Sequence, residues 1–336
     1  MIKIVLDALG GDNSPKVNVD GAVMALNAIK DLTIYIVGKE QQLKDLLNDK
    51  TYDKERLVIV NATDEITCND VPTSAIRTKK DSSLVVAINL LKENQDINAL
   101  VSVGSTGAVL TGAVLKLGRV KGVKRPALCP ILPTVNGGIV GICDSGANVD
   151  CDAEQLYQFA IMSSLYMQKV FNIENPRVAL LNVGAEEEKG DILRKEVYQK
   201  LKQDKTLNFI GNMESRGLLA GEADVVVCDG FSGNVLLKST EGACMELLGL
   251  VKKAFMKNLK TKMGALLVKS EIKNIKNLMD YNNYGGAVLL GTAKTVVKVH
   301  GSSKAKSIFH CIEQAYNMEK NSLRQDIEER FAVQEQ

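Results

Sequence analysis

The sequence predicts an α/β protein: a three-layer body with a mostly parallel sheet, helices on both faces and two lobes around a cleft. Three observations carry this. Five short apolar runs each end in a cluster of Gly, Ser, Asn and Asp: Ile2–Leu6, Ala99–Val103, Gly138–Cys143, Val178–Val183 and Ala223–Cys228. Runs rich in Val, Ile and Leu bounded by turn formers read as buried parallel strands. Between them lie stretches with helical periodicity, so strand and helix alternate along the chain. The third observation is where the small residues recur. Parallel strands align their C-terminal ends along one edge, where open sheets bind ligands and small residues let backbone N–H groups approach them.

In chain order, the strand at Ile2–Leu6 leads through Asp7–Pro15 into a helix over Val17–Ala28, with Pro15 near its start. A strand at Thr33–Val37, a helix at Glu40–Leu47 and a strand at Leu57–Asn61 follow. Ser82–Glu93 is a helix with Leu84, Val85, Ile88 and Leu91 on one face, then a strand over Ala99–Val103 and a helix from Thr106 to Leu117. A strand at Gly138–Cys143 precedes a long helix near Ala153–Val170. Arg177–Val183, Asp191–Gln203 and Asn208–Ile210 continue the alternation. A helix starts near Asn234 after the strand Ala223–Cys228, and a long final helix covers about Ser302 to Glu329. With no solenoid repeat and no Pro-rich linker, residues 1–336 are expected to form one two-lobed unit.

A chain of 336 residues, 45% apolar and 24% charged, is ordinary for a soluble globular protein. Its net charge of +2 gives no reason to expect nucleic acid. Seven scattered cysteines without a Cys-x-x-Cys read as buried thiols in a reducing compartment, and no apolar run reaches the ~20 residues of a spanning helix. The first strand begins at once, without a signal-type segment. A cytoplasmic location is expected.

Several common chemistries are missing. The chain has no phosphate loop of the Gly-x-x-x-x-Gly-Lys-Ser/Thr type, no Gly-x-Gly-x-x-Gly after the first strand and no Gly-x-Ser-x-Gly. Two histidines exclude a His-rich metal site, so neither metal nor cofactor is expected. Three constellations remain. Gly10-Gly11-Asp12-Asn13 is either a plain tight turn or part of a site, since it follows the first strand and Asp7 directly. Around Arg77, Lys79 and Lys80, the hydroxyls of Ser82 and Ser83 at a helix start form either an anion site or a solvated basic face. His300, followed by Gly301-Ser302-Ser303, is either structural or an oxyanion donor.

Taken together, Asp7–Pro15, Arg77–Leu84, Ser102–Ala108, Arg125–Leu128, Asp144–Cys151, Leu181–Gly184, Gly211–Glu214, Asp229–Lys238, Tyr281–Gly291 and His300–Ser303 resemble the phosphate acyltransferases of bacterial phospholipid synthesis, the PlsX family, over nearly the whole chain. The resemblance implies a fold similar to isocitrate and isopropylmalate dehydrogenases and to phosphotransacetylase, and a homodimer. It implies transfer of a long-chain acyl group from acyl carrier protein to inorganic phosphate, the product feeding a membrane glycerol-3-phosphate acyltransferase. The chain departs from the family pattern at Ser105 (usually Asn), at Ser215 and Gly217 around Arg216, at Lys294 and at Lys304.

Phosphate is a nucleophile at neutral pH, so the protein has to supply positioning and oxyanion donors. Lys80, Ser102, Asp229, Asn234 and His300 are the candidate catalytic residues. Candidate substrate-binding residues are Asp7, Gly10, Gly11, Asn13, Arg77, Ser82, Ser105, Thr106, Asp144, Asn148, Asp150, Gly211, Asn212, Glu214, Gly230, Ser232, Gly233 and Lys238. Direct displacement without an acyl-enzyme is the expected mechanism.

Residues 250–276 form a Lys-rich amphipathic element with eight lysines and one acid, Glu271. On a helical projection Val251, Phe255, Leu259, Met263 and Leu266 share a face, with a break expected at Gly264. Three readings stand: a solvated helix, a peripheral membrane contact of the kind the resemblance implies, or a dock for acidic acyl carrier protein. A short-chain phosphotransacetylase using coenzyme A and a non-catalytic membrane-associated organiser of lipid synthesis are the alternative functions.

Overall fold

The computed structural model describes residues 1–278 and 284–332. Tyr281, Asn282 and Asn283 of the Tyr281–Gly291 segment lie outside them. The described strands form two sheets. The first has the order β3-β2-β1-β4-β12-β11-β5, built from β1 (Ile2–Asp7), β2 (Leu32–Gly38), β3 (Leu57–Asn61), β4 (Ala99–Ser102), β5 (Ala127–Cys129), β11 (Ala287–Leu290) and β12 (Thr295–Lys298). It is parallel from β3 to β12, and β11 runs antiparallel to both β12 and β5. The second has the order β6-β7-β10-β8-β9, from β6 (Ile131–Pro133), β7 (Ile139–Cys143), β8 (Arg177–Leu181), β9 (Asn208–Met213) and β10 (Val225–Val227). Only β6 is antiparallel there.

Alternation along each strand feeds a core on either side. In β1, Ile4 and Leu6 pack into the larger core and Val5 into another. Helices α1 (Lys16–Ala28) and α11 (Ala305–Lys320) cover the first face, and α3 (Pro72–Thr78), α4 (Ser83–Glu93) and α5 (Thr106–Gly112) build the second. The α1–α11 contact is close because Gly21 has no side chain: a Cβ there would stand 2.5 Å from Ile308 Cβ. Helix α6 (Ala153–Phe171) belongs to the larger core, which takes residues from both sheets, including Ile4, Leu6, Val178, Leu180 and Val227. The remaining helices are α2 (Glu40–Leu47), α7 (Ile192–Gln203), α8 (Gly230–Phe255), α9 (Leu259–Leu267), α10 (Lys269–Leu278) and α12 (Leu323–Ala332).

Three predicted boundaries are corrected. The helix expected near Asn234 begins at Gly230, because Asp229 caps it by accepting from the Ser232 N–H at 2.8 Å. The final helix is two helices: Ser322 adopts a left-handed φ of 56°, and α12 turns back to bury Leu323, Ile327 and Phe331. The Lys-rich segment is not one helix broken at Gly264. It breaks before α9, where Asn258 and Thr261 cap each other's backbone N–H groups (3.0 and 3.1 Å) and Gly264 sits inside the helix. The helical projection from Val251 to Leu266 therefore spans two helices rather than one. The last turns from Ala113 to Leu117 widen into a π-helical segment.

Candidate functional site

The C-terminal edge of the first sheet and the corner where its β5 leads into β6 of the second enclose a cleft of about 280 Å³. One side is polar: Asp12 and Gly10 from the loop after β1, Ser105 and Thr106 after β4, Lys298 at the end of β12, and His300 and Ser303 after it. The other side is mostly apolar, formed by Leu128, Pro130, Ile131 and Leu132 with Leu237 of α8, and Asn234, Lys238 and Glu241 follow along the same helix.

Asp7 and Ser102 hold this rim from behind. They face each other in register on β1 and β4, and Ser102 Oγ donates to Asp7 Oδ2 at 2.6 Å. The same Oγ accepts from the Gly104 N–H at 3.1 Å, so the buried pair fixes the loop that carries Ser105 and Thr106. Burial pushes the Asp7 carboxyl above its ordinary range, against hydrogen bonds from Ser102 and Ser83.

The opposite loop is organised by Asp144. Its carboxylate accepts from the N–H groups of Leu128 (2.9 Å), Ala147 (3.2 Å) and Asn148 (2.6 Å) and from Asn148 Nδ2 (2.9 Å). Burial raises the pKa of Asp144, and these donors oppose the shift. The Gly230 N–H donates to the Asn148 carbonyl at 2.7 Å, which joins this loop to the start of α8. Gly230 and Gly233 are required by that contact: a Cβ on Gly230 would lie 2.6 Å from Asn148 O, and one on Gly233 would overlap the Asp144 carbonyl oxygen. Asp229 accepts from Ser232 N–H and Oγ–H and is ion-paired with Arg194.

Within the cleft, His300 Nδ1 lies 2.9 Å from Ser302 Oγ and 3.3 Å from the Ser302 N–H, an arrangement that suits an acceptor Nδ1 with the ring proton on Nε2. Burial, then Lys238 and Lys298, hold the His300 pKa below its ordinary value, so the neutral ring is favoured. Lys238 Nζ donates to Glu241 Oε2 at 3.0 Å.

Of the expected catalytic residues, Asn234 and His300 line the cleft. Ser102 and Asp229 stand behind it as supports, their oxygens committed to neighbouring groups. Lys80 is not part of this lining: with Arg77 it lies on a separate surface beside Val85, Asn89, Leu115 and Lys116. Of the expected binding residues, Gly10, Ser105, Thr106 and Lys238 line the cleft; Asp7, Asp144, Asn148, Gly230, Ser232 and Gly233 shape its walls as described.

Gly11 and Asn13 belong to the turn into α1 rather than the cleft lining, the Gly11 N–H donating to Ser14 Oγ at 3.2 Å. Ser82 is buried and donates to the Lys79 carbonyl at 2.7 Å. Asp150 is exposed outside the lining. Gly211 and Asn212 are on β9 at the outer edge of the second sheet, and Glu214 follows that strand. Three strand spacings separate β9 from β7, roughly 14 Å.

Sequence reasoning missed Lys298, Ser145, Glu241 and Cys68 as lining residues, while Asp12 of the Gly10–Asn13 turn lines the cleft beside Gly10. Ser145 Oγ is buried and, among the described residues, has no hydrogen-bond partner, an acceptor–donor group that a ligand in the cleft can satisfy. Lys298 left one signal in the sequence: a single charge inside the apolar run Val296–Val299, two residues before His300. Among the described residues no group of His, Cys, Asp and Glu is arranged to hold a metal ion, and no helix is long and apolar enough to cross a membrane.

A family model described as "Fatty acid synthesis protein" matches residues 2–325. A phosphate acyltransferase of Caldanaerobacter subterraneus subsp. tengcongensis is 48% identical over 332 residues, covering 99% of this chain and 98% of that protein. One from Clostridioides difficile is 46% identical, covering 97% and 95%. Among solved structures, a phosphotransacetylase from Streptococcus pyogenes matches with a TM-score of 0.61 at 17% identity, covering 95% of this chain and 94% of that one. A branched-chain phosphotransacylase from Enterococcus faecalis gives 0.58 at 16% identity, covering 94% and 98%. At such identities these structures speak for the fold alone.

Proposed function

The chain belongs to the fatty acid synthesis protein family whose curated members include the phosphate acyltransferases, and from that premise we propose that its cleft transfers a long-chain acyl group from acyl carrier protein to inorganic phosphate. The observation that carries this reading is the two-sided cleft. Lys298 and the hydroxyls at the edge of the first sheet, with Lys238 of α8, share the lining with an apolar wall of Leu128, Pro130, Ile131, Leu132 and Leu237.

In the reaction, an oxygen of hydrogen phosphate forms a bond to the thioester carbonyl carbon. The C–S bond breaks, and the proton carried by hydrogen phosphate ends on the departing thiolate. The cations Lys238 and Lys298 suit the anion. Neutral His300, Ser105, Thr106 and Ser145 offer N–H or O–H donors for the carbonyl oxygen as it gains charge. The apolar wall suits the first carbons of the chain. Nothing in this scheme requires an acyl-enzyme.

The proposal extends to a cytoplasmic homodimer that works at the membrane surface and hands acyl phosphate to a membrane glycerol-3-phosphate acyltransferase. In support, α8 beyond its first turns and α9 leave Met245, Leu247, Leu250, Leu259, Leu266 and Leu267 exposed beside a run of lysines.

The test incubates the protein with palmitoyl-acyl carrier protein, with and without phosphate, and captures acyl phosphate with hydroxylamine. Phosphate-dependent hydroxamate is expected. Thioester loss without phosphate, or turnover of acetyl coenzyme A in preference to the long-chain donor, would overturn the proposal.

A further inference from the structure

Strand β12 carries a lysine into the interior. Its four residues, Thr295, Val296, Val297 and Lys298, are all buried, and Lys298 is 9% exposed. Lys298 pairs in register with Ser102 of β4, which in turn pairs with Asp7 of β1. Three neighbouring parallel strands thus end on one transverse row, Asp7–Ser102–Lys298, at the edge that forms the floor of the cleft. The outer two members differ in what they meet. Asp7 is enclosed by Ser102, Ser83 and the Leu9 N–H, whereas Lys298 lines the open cleft.

An interior ammonium is costly without a counter-charge. Among the described residues Lys298 makes no ion pair; its Nζ donates to the Val299 carbonyl. The charged groups near it are Asp7 from β1 and Lys238 from α8, and the thiols of Cys311 from α11 and Cys68 from the loop before α3 stand beside it. His300, Glu241 and Asp12 complete the surroundings across the cleft. Lys238 already has a local partner in Glu241, and the neutral form of His300 is favoured. That leaves a desolvated cation at the floor with room above it. The one strongly anionic small reactant of acyl transfer to phosphate is phosphate itself.

We infer that Lys298 is the phosphate-binding residue of this cleft, its ammonium holding the nucleophile through a charge-assisted hydrogen bond while the Asp7–Ser102 pair fixes the row on which it stands. The inference rests on the reading of the cleft as the site of acyl transfer to phosphate. Burial lowers the Lys298 pKa to about 8, so the anchor is charged at neutral pH and loses its proton in the mildly alkaline range. A lysine in water would keep its charge there, which gives the role a pH signature of its own.

Steady-state kinetics on Lys298→Met and Lys298→Arg, varying phosphate and acyl donor separately, test this. Lys298→Met is expected to raise KM for phosphate by about 10- to 100-fold, the worth of a hydrogen bond to a charged group, with KM for the acyl donor within about twofold of wild type. In the wild type, KM for phosphate climbs above about pH 8; in Lys298→Arg, whose charge persists, that climb disappears. An unchanged phosphate KM in Lys298→Met, or a loss confined to kcat, overturns the inference. So does an alkaline climb that survives in Lys298→Arg. Should Lys298→Met fail to fold, as judged by its circular dichroism melt, calorimetric titration of the wild type with inorganic phosphate at about pH 7 and pH 9.5 decides. Equal affinity at both would overturn the assignment. Absence of hydroxamate from the wild type would instead strike the reading of the cleft as an acyl transfer site.

Discussion

Gly233→Ala is the sharpest probe of how the two loops are held together. Gly233 lies in the first turn of α8, where a Cβ would overlap the Asp144 carbonyl oxygen and stand 2.8 Å from Cys228 Sγ. Cys228 Sγ itself contacts that carbonyl at 3.3 Å, so no empty space lies behind it. An ordinary C···O separation is about 3.3 Å, and restoring it requires the two backbones to part by roughly 1 Å. Neither partner is a flexible side chain, so the strain cannot be relieved by a rotamer change. Overpacking of this kind costs about 1–3 kcal/mol, and more where backbone meets backbone; about 3 kcal/mol is expected here.

The displaced elements carry Asn234, Leu237 and Lys238 on one side and Ser145 on the other, all of them cleft-lining. A shift of ~1 Å in catalytic geometry is worth up to about 10²-fold in rate. Gly242→Ala supplies the control in the same helix. Nothing lies within 4 Å of its Cβ, so that substitution should leave activity alone and stabilise α8 by up to about 1 kcal/mol. Urea melts and hydroxylamine-captured acyl phosphate report both effects. If Gly233→Ala matched Gly242→Ala in stability and kcat/KM, the close approach of α8 to the Asp144 loop would be refuted.

Other outcomes follow from the same geometry. Lys80→Ala, on the separate surface beside Leu115 and Lys116, should change KM for phosphate by less than about twofold, whereas a cleft-lining cation should not tolerate truncation. Asp144→Ala strands four donors and should lower stability by about 3 kcal/mol or more in a denaturant melt, with activity lost in parallel. Leu266→Gln with Leu267→Gln alters side chains that are 71% and 86% exposed, so the melting temperature should hold while co-sedimentation with anionic liposomes falls. Lys298→Met also has a stability consequence, and its sign is fixed by the direction of the shift. A folded-state pKa lowered from 10.5 to about 8 penalises the charged form fully below about pH 8, and the penalty fades as pH rises toward 10.5. At about 1.4 kcal/mol per unit the ceiling is about 3 kcal/mol, so the variant should melt higher than wild type at neutral pH and no higher near pH 10.5.

The parallel strands were legible because burial on both faces writes itself as uninterrupted Val, Ile and Leu. β1, β3 and β4 fall within one or two residues of the apolar runs that predict them. Strands β5 and β6 were not legible. They are three residues each, separated by Pro130, and owe their pairing to β11 and β7 rather than to any local pattern. The start of α8 was misread for a physical reason: Gly230 and Gly233 look like loop formers, yet they are helical residues kept bare because the Asp144–Asn148 backbone passes against them. At the final helix, periodicity carried straight through Asn321 and Ser322, since one left-handed residue leaves little mark in hydropathy.

The site divides along a similar line. Loops after strands announce themselves by composition, which is why Gly10, Ser105, Thr106, Asn234 and His300 could be named from the sequence and do line the cleft. Whether a polar residue faces the ligand or braces the loop behind it depends on strand parity and register, and composition does not report those. Ser102 and Asp229 look like reactive groups in the sequence, but their oxygens are committed to Gly104 and Asp7, and to Ser232 and Arg194. Lys80 and Arg77 attract attention because cations beside hydroxyls suit phosphate, yet α3 and the turn after it carry them to another surface. The cation that reaches the floor is instead Lys298, hidden inside a strand, where burial makes a charge expensive unless something negative comes to meet it.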